Sequence, residues 1–201
     1  MIKKISMTPT DVEYEEQLID KNRYIPPTTN NEIYFYTPVT PESSYMLNKN
    51  LSDLQKQLLI LQINYGLSTT PNINLYINSD GGEIFGALSV VDRIKSSKVP
   101  IHSYIEGIAA SAATLISVCC HQRYMRKNSI MLVHQLRTWF EGTYTSLKDE
   151  NKNMDLLTDA IKNFYLTHTK FTDVELTEIL QRDMYLNAHE CLRFGLIDYI
   201  I

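Results

Sequence analysis

The chain has 201 residues, 44% of them hydrophobic and 21% charged, with a formal net charge of −4. That length suits one domain with a full core and is short for two. The acidic balance leaves no basic footprint, which argues against nucleic acid as a main partner, and without a run of about eighteen apolar residues no membrane span is expected.

Residues 1–31 are polar and mixed and end in Pro26-Pro27-Thr28-Thr29-Asn30-Asn31, which predicts an extended N-terminal arm, either an axial segment or a propeptide. Its opening, Met1-Ile2-Lys3-Lys4-Ile5-Ser6, lacks the apolar stretch of a signal peptide. Residues 32–201 read as one domain. Ile33–Tyr36 has strand composition and stops before Pro38. Residues 50–65 place Leu51, Leu54, Leu58, Leu61 and Tyr65 on one helical face, with Gly66 as the stop. A strand follows at Ile73–Asn78, then the turn Ser79-Asp80-Gly81-Gly82, a helix over 83–97, a strand over 101–105, Gly107, and a helix from about 111. This alternation predicts an α/β fold with a largely parallel sheet. Short strands fit Arg123–Arg126 and Ile130–Val133. A long helix over 143–168 carries Leu147, Met154, Leu157, Ile161 and Phe164. Thr172-Asp173-Val174-Glu175 is a capping box for another helix, Asn187 caps a last helix that Gly195 ends, and a strand runs from Leu196 to Ile201.

Three cysteines, Cys119, Cys120 and Cys191, argue by their odd count against a disulfide framework and read as small buried hydrophobes. A cytosol-like compartment follows. Richness in Asn, Lys, Ile and Tyr hints at an A/T-rich genome, so an organelle stroma or matrix, or a phage-infected host cytoplasm, stands beside the bacterial cytoplasm.

In Gly107-Ile108-Ala109-Ala110-Ser111-Ala112-Ala113 a serine sits where a strand turns into a helix among very small residues. Small neighbours admit a substrate backbone, and a helix N-terminus offers free N–H groups to a developing oxyanion. The same serine would serve equally as a plain N-cap. The glycines of Ser79-Asp80-Gly81-Gly82 would supply an oxyanion donor, a phosphate cradle or a simple left-handed turn. Both turns fall at the carboxyl ends of parallel strands, where sites gather. Of the five histidines, His134 closes the apolar run Ile130–Val133 on that same edge, although a histidine there is commonly structural. His102 starts its strand at the opposite edge, His121 follows a helix, and His168 and His189 read as solvated. Among carboxylates, Asp183 leads back towards the core and Asp198 is a weaker candidate, while Asp92, Asp155, Asp159 and Asp173 read as solvent-facing on helices. Residue pattern alone does not choose between the candidates.

The segments Tyr76–Gly82, Gly107–Ser111, Met131–Gln135 and Arg182–Ala188, in that order and spacing, and the closing Phe194-Gly195-Leu196-Ile197-Asp198, resemble the signatures of the Clp protease proteolytic subunit (ClpP) family over roughly residues 70–201. The resemblance implies a crotonase-like/ClpP ββα superhelix with a protruding handle helix, here about residues 138–168, assembled as two stacked seven-membered rings or as a mixed ring with another subunit of that type. It implies a serine endopeptidase acting on unfolded protein substrates, with Ser111 as nucleophile, His134 as base and Asp183 as the orienting carboxylate. Gly82 and Ala112 then supply the oxyanion hole, Arg182 the inter-ring contact, and Tyr76, Tyr104, Tyr124 and Ile201 the pocket that docks an AAA+ unfoldase. No metal or cofactor is implied. The chain carries no Gly-x-x-x-x-Gly-Lys-[Ser/Thr] loop, so ATP hydrolysis falls to that partner.

The chain departs from the family pattern at several points. Asp80 stands in place of a proline beside the oxyanion hole, Leu136 in place of another, and Arg137-Thr138-Trp139 in place of a glycine-rich stretch. Gln181 replaces an acid before Arg182, Asn74 and Ser96 replace aromatics, and residues 1–31 do not match the axial segment. The alternative is a catalytically weak or inactive structural subunit of a mixed Clp complex. An acyl-CoA enzyme of the crotonase type usually works with glutamates rather than a serine–histidine pair, and a signal-peptide peptidase wants a lysine base and a membrane anchor.

Overall fold

A computed structural model describes residues 31–201, so the arm expected over residues 1–31 lies outside the described residues except for Asn31. The elements are β1 (Glu32–Phe35), α1 (Pro41–Tyr65), β2 (Ile73–Ser79), α2 (Ile84–Lys95), β3 (Ile101–Ala110), α3 (Ala112–Val118), β4 (Gln122–Met125), β5 (Ile130–Leu132), α4 (Tyr144–His168), α5 (Asp173–Leu180), β6 (Leu186–Asn187), α6 (Ala188–Arg193) and β7 (Tyr199–Ile200). Among them no helix is long and apolar enough to cross a membrane.

The expected parallel α/β sheet is present. Strands β1, β2, β3, β4 and β7 run in that order and all in parallel, while β5 pairs in parallel with the end of β3 and antiparallel with β6. The alternation in β2 and β3 explains the sidedness. Ile73, Leu75 and Ile77, with Ile101 and Ile105, are buried beneath the helices, and every second residue faces the other way. On that other face the register aligns Tyr34, Tyr76, Tyr104, Tyr124 and Tyr199 across five strands, and the rings stack with centroids 4.7–5.0 Å apart.

Strand β3 is longer than the periodicity predicts, because it serves two neighbours in succession. His102–Ile105 pair with β4, and Ile108–Ala110 pair with β5. The change falls at Gly107, whose φ of 84° no ordinary side chain adopts comfortably and whose Cβ position is filled by the Asn78 side chain. The bend carries the end of β3 towards the turn after β2.

Two elements start or end elsewhere than expected. Helix α1 begins at Pro41, because Thr40 caps it in a capping box with Ser43 and proline occupies the first turn; the apolar stripe that marks a helix begins only with Leu47 and Leu51. The last strand shrinks to Tyr199–Ile200, since Leu196 N–H is committed to Cys191 O at 2.9 Å and Asp198 to Arg123. Arg123 binds both Asp198 oxygens and the carbonyls of His168 and Gly195, fastening the C-terminal segment to β4. All three cysteines are free; Cys120 and Cys191 are buried and Cys119 is half-buried. Burial pushes the Cys191 thiol up to about 12.

Candidate functional site

The site is built where β2 and β3 end. After β2 the chain turns through Gly81 and Gly82, with φ of 87° and 144°. Val39 clamps this turn from behind, its N–H donating to Gly81 O and its carbonyl accepting from Glu83 N–H, both at 2.8 Å. That pairing leaves the Gly82 N–H outside the bridge. Gly81 packs directly on the turn after β3, where a Cβ would lie 2.4 Å from Ala110 O and 2.7 Å from Ser111 Cβ.

Ser111 is the one residue other than glycine, among the described residues, with a positive φ, at φ 54° and ψ −127°. Such a conformation costs about 1–3 kcal/mol and persists where surrounding structure imposes it. Here Ser111 N–H donates to Leu132 O at 2.8 Å. Its carbonyl accepts from Thr114 N–H at 2.9 Å and from the Thr114 hydroxyl at 2.6 Å. The side chain makes no capping bond to helix α3, so the plain N-cap reading does not describe it. Ala112 opens α3, where the backbone N–H has no partner within the helix.

The fully buried Tyr165 of α4 lies 2.5 Å from the Thr114 hydroxyl oxygen. Thr114 has one hydroxyl proton and spends it on Ser111 O, so Tyr165 is the donor. Burial pushes the Tyr165 hydroxyl's pKa up.

His134 follows β5 and its side chain is 11% exposed. It lines a cleft of about 570 Å³ together with Ser111, Ala112 and Gly82, opposite Met154, Leu157 and Ile161 of α4. The other histidines are engaged elsewhere or lie outside this cleft. His121 Nδ1 accepts from Ile101 N–H at 3.1 Å. His168, expected to be solvated, is half-buried and stacks on Phe164 at 4.4 Å.

Asp183 sits on the connection after α5, brought in by a bond of 2.8 Å from Gln135 N–H to Leu180 O. Its Oδ1 is 4.0 Å from His134 Nδ1, beyond hydrogen-bond reach, and Nδ1 has no partner among the described residues. Oδ2 instead accepts from the Arg137 guanidinium. Asp198, the weaker candidate, is bound to Arg123. Among the described residues no group of three or more His, Cys, Asp or Glu is arranged around a metal-sized position.

Arg182, exposed, makes no ion pair among the described residues. Tyr76, Tyr104 and Tyr124 are the centre of the tyrosine ladder, and Ile201 closes the same sheet through its N–H to Met125 O at 2.9 Å. A polar row beside the ladder was not anticipated. Glu106 accepts from the Tyr36 hydroxyl and from Arg126 at 2.7 and 2.9 Å. Burial raises the Glu106 carboxyl's pKa, but these bonds outweigh it and hold the group below its ordinary value.

Comparison with known proteins identifies the family of the whole described fold. The chain is 29% identical over 164 residues to the ATP-dependent Clp protease proteolytic subunit of Deinococcus radiodurans, covering 81% of this chain and 77% of that protein. It is 30% identical over 157 residues to the ATP-dependent Clp protease proteolytic subunit 2 of Treponema denticola, covering 77% of each. The sequence profile of the Clp protease family matches residues 31–201, every residue of the described fold, and the chain belongs to that family.

Proposed function

We propose that the chain is a serine endopeptidase subunit that cleaves unfolded polypeptide inside a ring assembly fed by an AAA+ unfoldase. The observation that carries this reading is Ser111, held at a positive φ at the mouth of a cleft it shares with His134. Ser111 Oγ attacks the scissile carbonyl carbon as His134 takes its proton. The oxyanion is met by the N–H groups of Gly82 and Ala112, each worth roughly 10²–10³ in rate in such sites. His134 then protonates the leaving amine, leaving an ester on Ser111. Water, deprotonated by His134, attacks that ester, and the acid leaves. Asp183 serves by holding the His134 Nδ1–H and stabilising the imidazolium.

The apolar wall of Met154, Leu157 and Ile161 suits an apolar side chain next to the cut. Helix α4 is the handle in this reading, Arg182 the contact between stacked rings, and the ladder of Tyr76, Tyr104 and Tyr124, with Ile201, the unfoldase dock. One observation favours a second reading, a subunit with little activity of its own: Asp183 is paired with Arg137 and stands off His134.

Intact-mass spectrometry after treatment with a fluorophosphonate, at a concentration that favours rings, separates the two. A single adduct absent from Ser111→Ala, with peptide cleavage reduced by about 10⁴-fold or more in that variant, supports the peptidase. No adduct from chains shown by light scattering to form rings overturns it in favour of the inactive subunit.

A further inference from the structure

Resting on the reading of Ser111, His134 and Asp183 as a catalytic set, we propose that Arg137 is a positioning residue that acts as a salt-sensitive brake, competing with His134 for Asp183. Three observations converge. The Asp183 carboxylate is 59% exposed and gives one oxygen to the equally open Arg137 guanidinium. Its other oxygen stops 4.0 Å from His134 Nδ1. That nitrogen is buried and unpartnered, although a buried ring nitrogen is the group that most needs a partner.

The carboxylate thus satisfies an exposed partner and leaves a buried one unmet. Moving it about 1 Å towards the imidazole brings Oδ1 within hydrogen-bond distance. The guanidinium opposes the base in two ways. It holds the carboxylate out of line, and its positive charge offsets the negative charge that would stabilise the imidazolium during proton transfer. The backbone keeps the competition local, because Gln135 N–H to Leu180 O ties the strand end carrying His134 and Arg137 to the loop carrying Asp183. Arg137 lies three residues after His134, beyond Gln135 and Leu136, so the brake belongs to the segment in which this chain departs from its family's glycine-rich pattern.

Exposed ion pairs are weak and screened by salt, whereas the partly buried imidazole contact is screened less. Salt should therefore release Asp183 to His134. In wild type, kcat for a short fluorogenic peptide should rise about two- to fivefold between roughly 0.05 and 0.5 M salt, with KM little changed. Arg137→Ala should start at the high rate and lose the salt response, and Arg137→Lys should restore most of it. Arg137 is exposed, so these variants should fold.

A second readout needs no turnover. The titration of the His134 ring, followed by NMR in the Ser111→Ala background, should move to higher pH in Arg137→Ala, because an unshared carboxylate favours the charged imidazole. The other charged groups lining the two clefts that His134 shares are Asp80, Glu83, Glu150, Asp159 and Lys162, all unchanged by the substitution. An unmoved His134 titration, or a rate that stays level or falls in Arg137→Ala, overturns the brake while leaving the peptidase intact. Peptide cleavage equal in wild type and Ser111→Ala overturns the peptidase instead, and the ring titration still decides whether Arg137 and His134 share Asp183.

Discussion

Gly81→Ala is the substitution whose effect can be worked most directly from the geometry. Gly81 has φ of 87°, where an L side chain is strained by about 1–2 kcal/mol. The added Cβ would sit 2.4 Å from Ala110 O, 2.7 Å from Ser111 Cβ and 3.0 Å from Ala112 N. These are atoms of the turn that carries Ser111, and two of them are backbone. To reach ordinary contact at 3.4 Å, the Ala110 carbonyl must retreat by about 1 Å. Overpacking of this kind adds about 1–3 kcal/mol, for a total loss of about 2–5 kcal/mol and a fall in Tm of about 4–20 °C. A 1 Å displacement of a reacting group lowers the rate by about 10²-fold. The control is Gly66→Ala. Gly66 has φ of 60° but nothing within 4 Å of its Cβ position, so that variant carries the dihedral strain without the collision. It should lose about 1 kcal/mol and keep the labelling rate of Ser111. Thermal unfolding and fluorophosphonate labelling, run on both variants, test the reasoning. If Gly81→Ala melts with Gly66→Ala and labels at the wild-type rate, the close packing of the two turns does not position Ser111.

Two further outcomes follow from buried networks. Arg123→Ala removes the guanidinium's bonds to Asp198 and to the carbonyls of His168 and Gly195, leaving the Asp198 carboxylate only the backbone N–H of residue 123, and should destabilise by about 2–4 kcal/mol in urea unfolding. Burial pushes the Asp198 carboxyl up, but Arg123's hydrogen bonds and charge outweigh it and hold it below its ordinary value. The stability this adds is complete above the unfolded pKa and is lost as pH falls through the folded one, so Asp198→Asn should flatten the acid limb of stability against pH. Tyr165→Phe removes the donor to Thr114 and should cost about 1 kcal/mol, with a labelling rate of Ser111 lowered by less than about tenfold, because Thr114 still binds the Ser111 carbonyl.

The fold was legible wherever one face of an element is buried. Ile73, Leu75 and Ile77 alternate as a half-covered strand must, and Thr172 and Glu175 spell the capping box that the structure closes reciprocally. Helix α1 was read nine residues short, since Thr40-Pro41-Glu42-Ser43 announces a helix by its cap while the apolar stripe starts later. The sequence singles out Tyr76, Tyr104 and Tyr124 only as pocket residues, through family resemblance, and does not show that they stack in a ladder. Tyr34 and Tyr199 join it only through the register of β1 and β7, a fact of pairing between strands that no local pattern carries. Ser111 and His134 stood out because strand ends and glycine turns leave local marks. Asp183 leaves none: it lies exposed on a connection, and only family resemblance singled it out.

The same contrast divides the site physically. Gly81, Gly82 and Ser111 are fixed by interlocked backbone bonds and by packing that leaves no room for a methyl group. Changing their geometry requires several kcal/mol. Asp183 and Arg137 are joined by an exposed ion pair, and such pairs are worth about 0–1 kcal/mol, not far above thermal energy. In the proposed peptidase the turns that carry Ser111 and Gly82 are therefore constant, whereas the distance between Asp183 and His134 is set by a contact that salt or one substitution would reverse. Any association that buries this edge raises the local strength of charge pairs and amplifies whichever partner Asp183 then holds. On the proposed ring reading, Arg182, immediately before Asp183 in the chain and without an ion-pair partner among the described residues, would be the group through which a neighbouring subunit shifts that balance towards His134.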